Sequence, residues 1–520
     1  MNRREVLEAI SGLMLGMLTT ILASTVVSTS LPVIVHDLGG GQSAYTWVVT
    51  ASLLAMTVTT PIWGKLADLF NRKLLVQVAL TIFVVGSVFA GLSQETWHLI
   101  SMRVLQGLGA GGLMSLSMVL ISDIISPRER GRYVGVLAGV MSIGTVGGPI
   151  LGGVITDSLG WRWNFYVCVP LAVLSILVLQ RTLHLPKRAR RTVRIDYLGA
   201  ALITAGVSAL LIWVSLAGNQ FAWASWQSTA LVSASVVLLA LAVWVESQVA
   251  EPIIPLSLFR NRTIALSVVA SISVGVAMFG ASVFLAQYMQ IARDKTPTES
   301  GLLTIPMMLG SLVASTIIGM LVSRTGHYKR YMLGGSLVML AGLGLMATVD
   351  YRTSFVLLGL YMAMIGLGMG ACMQNLVLAT QNTADVREIG VATATVTFFR
   401  SLGGAAGVAV LGAVLSNRVT SSVLDGLSSL GVSPSAAGGG SVPDPSSLPG
   451  PVRTVVEQAY GQGVADVFLF AIPLGLVAVI AIAFLPEQRL STKSGIEQME
   501  ELRASQATAR PRRELALSAG

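Results

Sequence analysis

The sequence predicts an all-α polytopic membrane protein. Three observations carry that expectation. Only 11% of the 520 residues are charged while 53% are hydrophobic, with a mean hydropathy of +0.74, whereas a soluble domain carries about 25% charged residues. The charges come in short bursts between apolar runs of ~20 residues, the length that crosses a ~30 Å hydrocarbon layer as a helix. The bursts also alternate in basic content along the chain, as expected when successive loops face opposite sides of a bilayer.

Taken in order, the apolar runs give fourteen expected spans: 10–33, 44–63, 74–93, 97–123, 133–156, 163–183, 197–217, 229–244, 264–290, 302–322, 331–349, 355–380, 391–415 and 464–485. The first follows Arg3 and Arg4 and is read as a spanning helix rather than a removed signal, because no small-residue cleavage site and soluble domain follow it. Of the 34 Lys and Arg, 26 fall in the termini and in the alternate loops that carry Arg72, Arg128, Arg188, Arg260, Arg324 and Arg387; the other set of loops holds six. Basic loops stay cytoplasmic, so both termini are expected inside. The net charge of +9 follows from this topology, and no nucleic-acid-binding pattern is present. Cys168 and Cys372 lie inside apolar runs, so no disulfide framework is indicated. The stretch 416–463, rich in Gly, Ser and Pro, reads as a flexible outer loop, and 487–520 as a basic cytoplasmic tail.

One loop concentrates charge. "GKLADLFNRK", between the second and third spans, contains Lys65, Asp68, Arg72 and Lys73. A related run, "GMLVSRTGHYKRY", follows the tenth span, and each run precedes an apolar span and then a Gly-rich one. The chain therefore reads as two related six-helix halves, 1–184 and 263–486, joined by a basic linker and two extra helices over 185–262. Transporters use such repeats, with the substrate at the interface between them.

Four segments in order give a family resemblance over nearly the whole chain: "GKLADLFNRK"; "RVLQGLGAGG" from Arg103; "GTVGGPILGG" from Gly144; and "EPIIPLSLFRNRT" from Glu251. Together the sequence resembles the major facilitator superfamily, and within it the fourteen-helix branch of drug:proton antiporters. The resemblance implies a gating latch of Gly64, Asp68, Arg72 and Asp123, with Asp68 accepting hydrogen bonds from the start of the thirteenth span and Arg72 pairing with Asp123. It also marks Gly144, Gly148, Pro149 and Gly152 as an exporter motif. Spacing by four independently predicts a bare helix face there that a second helix can approach, with Leu at 148 disruptive and Ala much milder. Lys65 and Lys73 are read as marking topology alone.

Charges inside spans are costly and need a return. Arg103, with Gln106 one turn on, and Arg400 are therefore assigned to a transport cavity, together with Gln287, Tyr288, Asn375 and Phe398. No carboxylate lies in the middle of a span. The resembling family carries an aspartate in its first helix, in a run like "LDxTIVNxALP"; here the run is "LASTVVSTSLP", with Ala23 in its place. Asp157, at a span end, and Asp37, just beyond the first span on the outer side, are the candidate proton sites.

The expected function is secondary active export of hydrophobic drugs or antibiotics by proton antiport, working as a monomer in the cell inner membrane, with no cofactor and no metal site. Two in-span arginines and no in-span acid favour neutral or anionic substrates over dications. The second reading is an exporter or flippase of a lipid-like metabolite. The fifth-span motif argues against a nutrient importer, two pseudo-symmetric halves fit a receptor poorly, and no nucleophile or metal cluster supports an enzyme. No G-x-x-x-x-G-K-[ST] loop is present, which argues against direct ATP drive.

Overall fold

The computed structural model describes residues 3–39, 42–125, 127–183, 196–217, 221–249, 252–295, 297–385, 388–430, 449–491 and 497. Among them the chain is helical, without a β-sheet. In lipid every backbone donor and acceptor must be satisfied within the protein, and the α-helix does this locally. The helices run α1 (Arg3–Asp37), α2 (Gln42–Leu69), α3 (Arg72–Gly91), α4 (Thr96–Ile124), α5 (Pro127–Leu159), α6 (Trp163–Tyr166), α7 (Cys168–Thr182), α8 (Tyr197–Leu216) and α9 (Trp226–Gln248). After a 3-10 turn at Leu256–Arg260 come α10 (Arg262–Gln287), a π turn at Tyr288–Ala292, α11 (Pro297–Leu303), α12 (Ile305–Thr325), α13 (Lys329–Met346), α14 (Phe355–Thr383), α15 (Ile389–Ser429) and α16 (Gly450–Ala483). Eleven segments among the described residues are long and apolar enough to cross a membrane.

Short polar side chains set several helix starts. Asn71, Asp196, Ser225, Asn261 and Ser354 accept the amides of Lys73, Gly199, Ser228, Thr263 and Val356, so each supplies an acceptor that the first turn lacks. Gly326, at φ +72°, ends α12 in the left-handed region that glycine tolerates best.

Two large apolar clusters form. One gathers residues of α10 through α16, including Tyr288, Met332, Met362 and Phe468; the other gathers residues of α1 to α4 and α7, including Leu13, Phe83, Leu113 and Leu179. The resulting bundles meet along two seams, α2 against α15 and α5 against α12. Helices α8 and α9 pair with each other, joined by the Ser235 hydroxyl donating to the Gly206 carbonyl at 2.9 Å. A smaller cluster of Val58, Ile203, Val207, Leu211, Ala242 and Phe398 seats this pair on α2 and α15, at the first seam.

The segment expected as a loop over 416–463 is largely helical instead. Helix α15 continues to Ser429 and α16 begins at Gly450. Beyond the strongly apolar runs the two helices still present matching faces: Leu427 and Val456 are buried, and Gly426 leaves room for Val455. Composition points to a linker because polar residues such as Asn417, Ser421, Ser428, Thr454 and Gln458 fill the outward face, while Gly426, Gly461 and Gly463 sit at the close contacts. The Gly-, Ser- and Pro-rich core of that segment, 431–448, lies outside the described residues, as do 184–195 and the tail apart from residue 497.

Candidate functional site: a carboxylate clamp between the bundles

At the end of the fold that carries the charged loop, Asp68 closes the seam. Its Oδ1 accepts the Gly390 amide at 3.0 Å and its Oδ2 accepts the Val391 amide at 2.9 Å. These belong to the first turn of α15, whose amides have no partner within the helix and whose dipole favours an anion. The Asp68 side chain is 4% exposed, so the attraction is little screened. Gly64, one turn earlier on α2, lets the backbones meet: a Cβ there would overlap Ala394 and lie 3.0 Å from the Gly390 carbonyl. Arg72 at the start of α3 ties Asp68, at 3.1 Å, to Asp123 at the end of α4, and donates to the Ala67 carbonyl at 2.8 Å. One carboxylate thus joins the two bundles while a guanidinium fixes its aim from behind.

Lys65 and Lys73 do more than mark topology. Lys73 donates to the Gln180 carbonyl at 2.8 Å, tying α3 to the end of α7. Lys65 is buried and acts as a positive charge on Glu246 of α9. Gln381 of α14, not singled out from sequence, also spans the seam, donating to the Met118 carbonyl of α4 at 3.4 Å and to the Thr393 hydroxyl at 2.9 Å.

The glycine face of α5 lies against α1. Gly144 faces Leu18 and Ile21, Gly148 faces Thr25, and Gly152 faces Val26. The Thr25 hydroxyl donates to the Gly144 carbonyl at 3.2 Å. A Cβ at Gly148 would overlap Thr25 Oγ1, so the expectation that alanine is mild there is corrected: even one carbon must displace Thr25. Pro149 lies in α5, and nothing further is described of its side chain. Nearby, the buried Asn164 amide donates to the hydroxyls of Ser30 at 2.6 Å and Thr156 at 2.7 Å, while its Oδ1 has no partner. A lone Asn in an aromatic run gave little warning of this cluster.

The described residues among those expected in a cavity are each held by local partners. Arg103 is 4% exposed and links three helices: it donates to the Val48 carbonyl of α2 at 3.2 Å and to Gln106 at 2.5 Å, and Gln106 donates to Ser87 of α3 at 2.8 Å. Arg400 is half-buried, donates to the Met373 carbonyl of α14 at 3.3 Å, and has its backbone carbonyl against Gly275 of α10. Asn375 returns its amide to the Ala371 carbonyl within its own helix. Phe398 is packed beneath the α8–α9 pair, edge-on to Phe399. Tyr288 sits at the far end of α10, donating to the Asp350 carbonyl at 2.6 Å and accepting from Arg293 at 3.1 Å. In that corner the Thr353 hydroxyl and the Arg352 amide hold the Asp350 carboxyl below its usual range. The Gln287 and Asp157 side chains lie outside the described residues, though both positions are helical. Asp37 ends α1 rather than lying beyond it; it is exposed and accepts the Trp161 indole N–H at 2.9 Å. Ala23 is 2% exposed, within the N-terminal apolar cluster.

Two helical bundles meet on a polar clamp, with a glycine seam within one of them, and the family that matches this chain is one of membrane transporters, not enzymes. A family model described as Major Facilitator Superfamily matches residues 13–408, and the chain belongs to that superfamily. It is 38% identical over 484 residues to an uncharacterized MFS-type transporter of Mycobacterium tuberculosis, covering 92% of this chain and 69% of the relative. It is 37% identical to the multidrug transporter protein MdtP of Bacillus subtilis, covering 79% of this chain and 75% of that one. With Multidrug resistance protein 3 of the same organism the identity is 30%, covering 92% and 95%. Among solved structures, the proton:xylose symporter XylE matches with a TM-score of 0.63 at 16% identity, covering 96% of this chain and all of that one. The human organic anion transporter MFSD10 matches with a TM-score of 0.59 at 15% identity, covering 90% and 99%. These two likenesses concern the fold.

Proposed function

We propose that this protein is a proton-driven exporter of hydrophobic drugs or antibiotics, working by alternating access as a monomer in the cytoplasmic membrane. It crosses the membrane fourteen times with both termini inside, as two six-helix units, 1–184 and 263–486, and a linking helix pair within 185–262. The observation that carries the reading is the Asp68 carboxylate on the Gly390 and Val391 amides. A bond between the bundles at one end, made by a charge that opening would release to water, is what a gate requires. The names of the relatives, multidrug transporter and multidrug resistance protein, supply the substrate class.

Export proceeds by opening the Asp68 end, admitting the substrate between the bundles, closing the clamp, and opening at the other end. Asp37 and Asp157 remain candidate proton carriers on that opposite side. Arg103 and Arg400 leave the spans electropositive, so neutral or acidic hydrophobic substrates are favoured over dications. The test is efflux of a matched pair, one neutral and one dicationic, from cells lacking their own exporters. Preferential export of the neutral compound is expected. Strong export of the dication would overturn the electrostatic part of the reading, and export of neither would overturn the substrate class.

A further inference from the structure

The two added helices end on a cluster of charge that neither the clamp nor the glycine seam uses. Asp196 caps α8: its Oδ1 accepts the Gly199 amide at 2.8 Å. Its Oδ2 is buried without a hydrogen-bond partner, in a residue only 7% exposed. Glu246, in the last turn of α9 and 6% exposed, accepts the Ile253 amide at 3.0 Å on Oε1 and the Ile254 amide at 2.9 Å on Oε2. The two carboxylates lie side by side over Gly199. A Cβ there would overlap Asp196 Oδ2 and come within 3.0 Å of Glu246 Oε1. Among the described residues, the charged groups acting on Glu246 are Asp196 at the start of α8, which repels it, and Lys65 of α2, which attracts it. The strap 252–255 contributes backbone amides.

Two buried carboxylates side by side are costly to keep ionised together, and one shared proton removes the repulsion. Each oxygen of Glu246 already accepts an amide, and Asp196 Oδ1 is taken by the cap. The one oxygen with no partner, Asp196 Oδ2, points to the place where a proton would sit between the two groups. We propose that Asp196 and Glu246 form a proton-binding pair that links the added helices to the gate.

The proton comes from water at the clamp end and is held between Oδ2 and Oε1. With Lys65, the trio carries one negative charge when both acids are ionised and none when the proton is bound. The placement gives this change two outlets. Helix α8 packs on both α2 and α15, the helices that Asp68 joins, and Lys65 neighbours Gly64 on α2. Glu246 holds the strap that leads through Leu256–Arg260 into α10. Loss of the proton drives the carboxylates apart, loosens the strap and draws on Lys65, so both sides of the seam respond. The pair thereby supplies a proton site outside the first helix, where Ala23 cannot serve.

The transport consequence rests on the proton-coupled reading above; the site itself does not. It is tested by infrared difference spectroscopy of the purified full chain between acidic and alkaline buffers. Wild type is expected to show a protonated-carboxyl C=O band that disappears on raising pH. That band should be lost in Asp196→Asn and in Glu246→Gln and kept in the exposed control Glu95→Gln. Asparagine still caps α8 and glutamine keeps one acceptor for the strap, so both variants should elute as monodisperse protein. A band unchanged in both variants, or no band in wild type, overturns the site even if export follows the pH gradient. The band with export indifferent to the gradient keeps the site and overturns the antiport reading.

Discussion

Replacing Asp68 by Asn removes the charge from the clamp while keeping its shape. Wild type makes two charge-assisted bonds, at 3.0 and 2.9 Å, to the amides of Gly390 and Val391. The amide keeps one acceptor and loses the other, together with the attraction of the α15 dipole. A hydrogen bond to a charged group contributes about 1.5–3 kcal/mol, and a helix terminus about 0.3–1 kcal/mol. The neutral amide keeps one of the two bonds and Arg72 keeps its pair with Asp123, so a loss of about 2 kcal/mol is expected for the closed clamp. At 1.4 kcal/mol per factor of ten, that shifts the closed-to-open ratio about 30-fold toward open. The assay is a distance distribution between spin labels at Phe70→Cys and Leu256→Cys, both exposed at the clamp end; the native Cys168 and Cys372 are buried. Val391→Pro provides an independent arm. Proline is tolerated in the first turn of a helix and deletes the 391 donor while keeping part of the Val391 packing on Leu258 and Ile264, so a shift in the same direction is expected. An unchanged distribution in Asp68→Asn, with wild-type efflux at equal expression, would refute the clamp.

Three further outcomes follow from the same geometry. Gly148→Ala should already impair export, because its Cβ overlaps Thr25 Oγ1, and Thr25→Ala in the same chain should restore part of it; full export by the single variant would refute a tight α1–α5 seam. Arg103→Ala should lower thermal stability in detergent, since it removes the link to the Val48 carbonyl and leaves the buried Gln106 Oε1 without its donor, at a cost of about 1–3 kcal/mol; an unchanged melting temperature would contradict this. Ala23→Asp should reduce the yield of folded protein rather than recruit dications, because residue 23 is packed in the N-terminal cluster and an unpaired buried carboxylate is costly; a well-folded variant that exports dications would show that the position opens to substrate.

What could be read beforehand was what breaks a rule. An acid in a basic loop has no topological reason to be there, and Asp68 sits on the helix start that the family resemblance named. Glycines four apart on α5 face α1. Hydropathy located the apolar stretches of the helices, because lipid leaves the backbone few choices. What could not be read was which way a helix faces when it is apolar all round. Phe398, expected in a cavity, packs among α2, α8, α9 and α15, and Tyr288, expected there too, bonds Asp350 and Arg293 at the far end of α10. The outer helices over 416–429 and 450–463 are hidden because polar residues occupy their outward face and glycines sit at their inward contacts. The Asp196–Glu246 contact joins residues on two spans that no motif connects, although an acid directly before span 197–217 and a lone acid just past the end of span 229–244 were both visible.

The most direct test of proton-driven export uses inverted membrane vesicles without ATP, in which uptake corresponds to export from the cell. A neutral hydrophobic antibiotic should accumulate when the lumen is made acidic, lose that accumulation when the gradient is collapsed, and release protons from the lumen as it enters. Accumulation that persists without a gradient, or a gradient that changes nothing, would contradict the account.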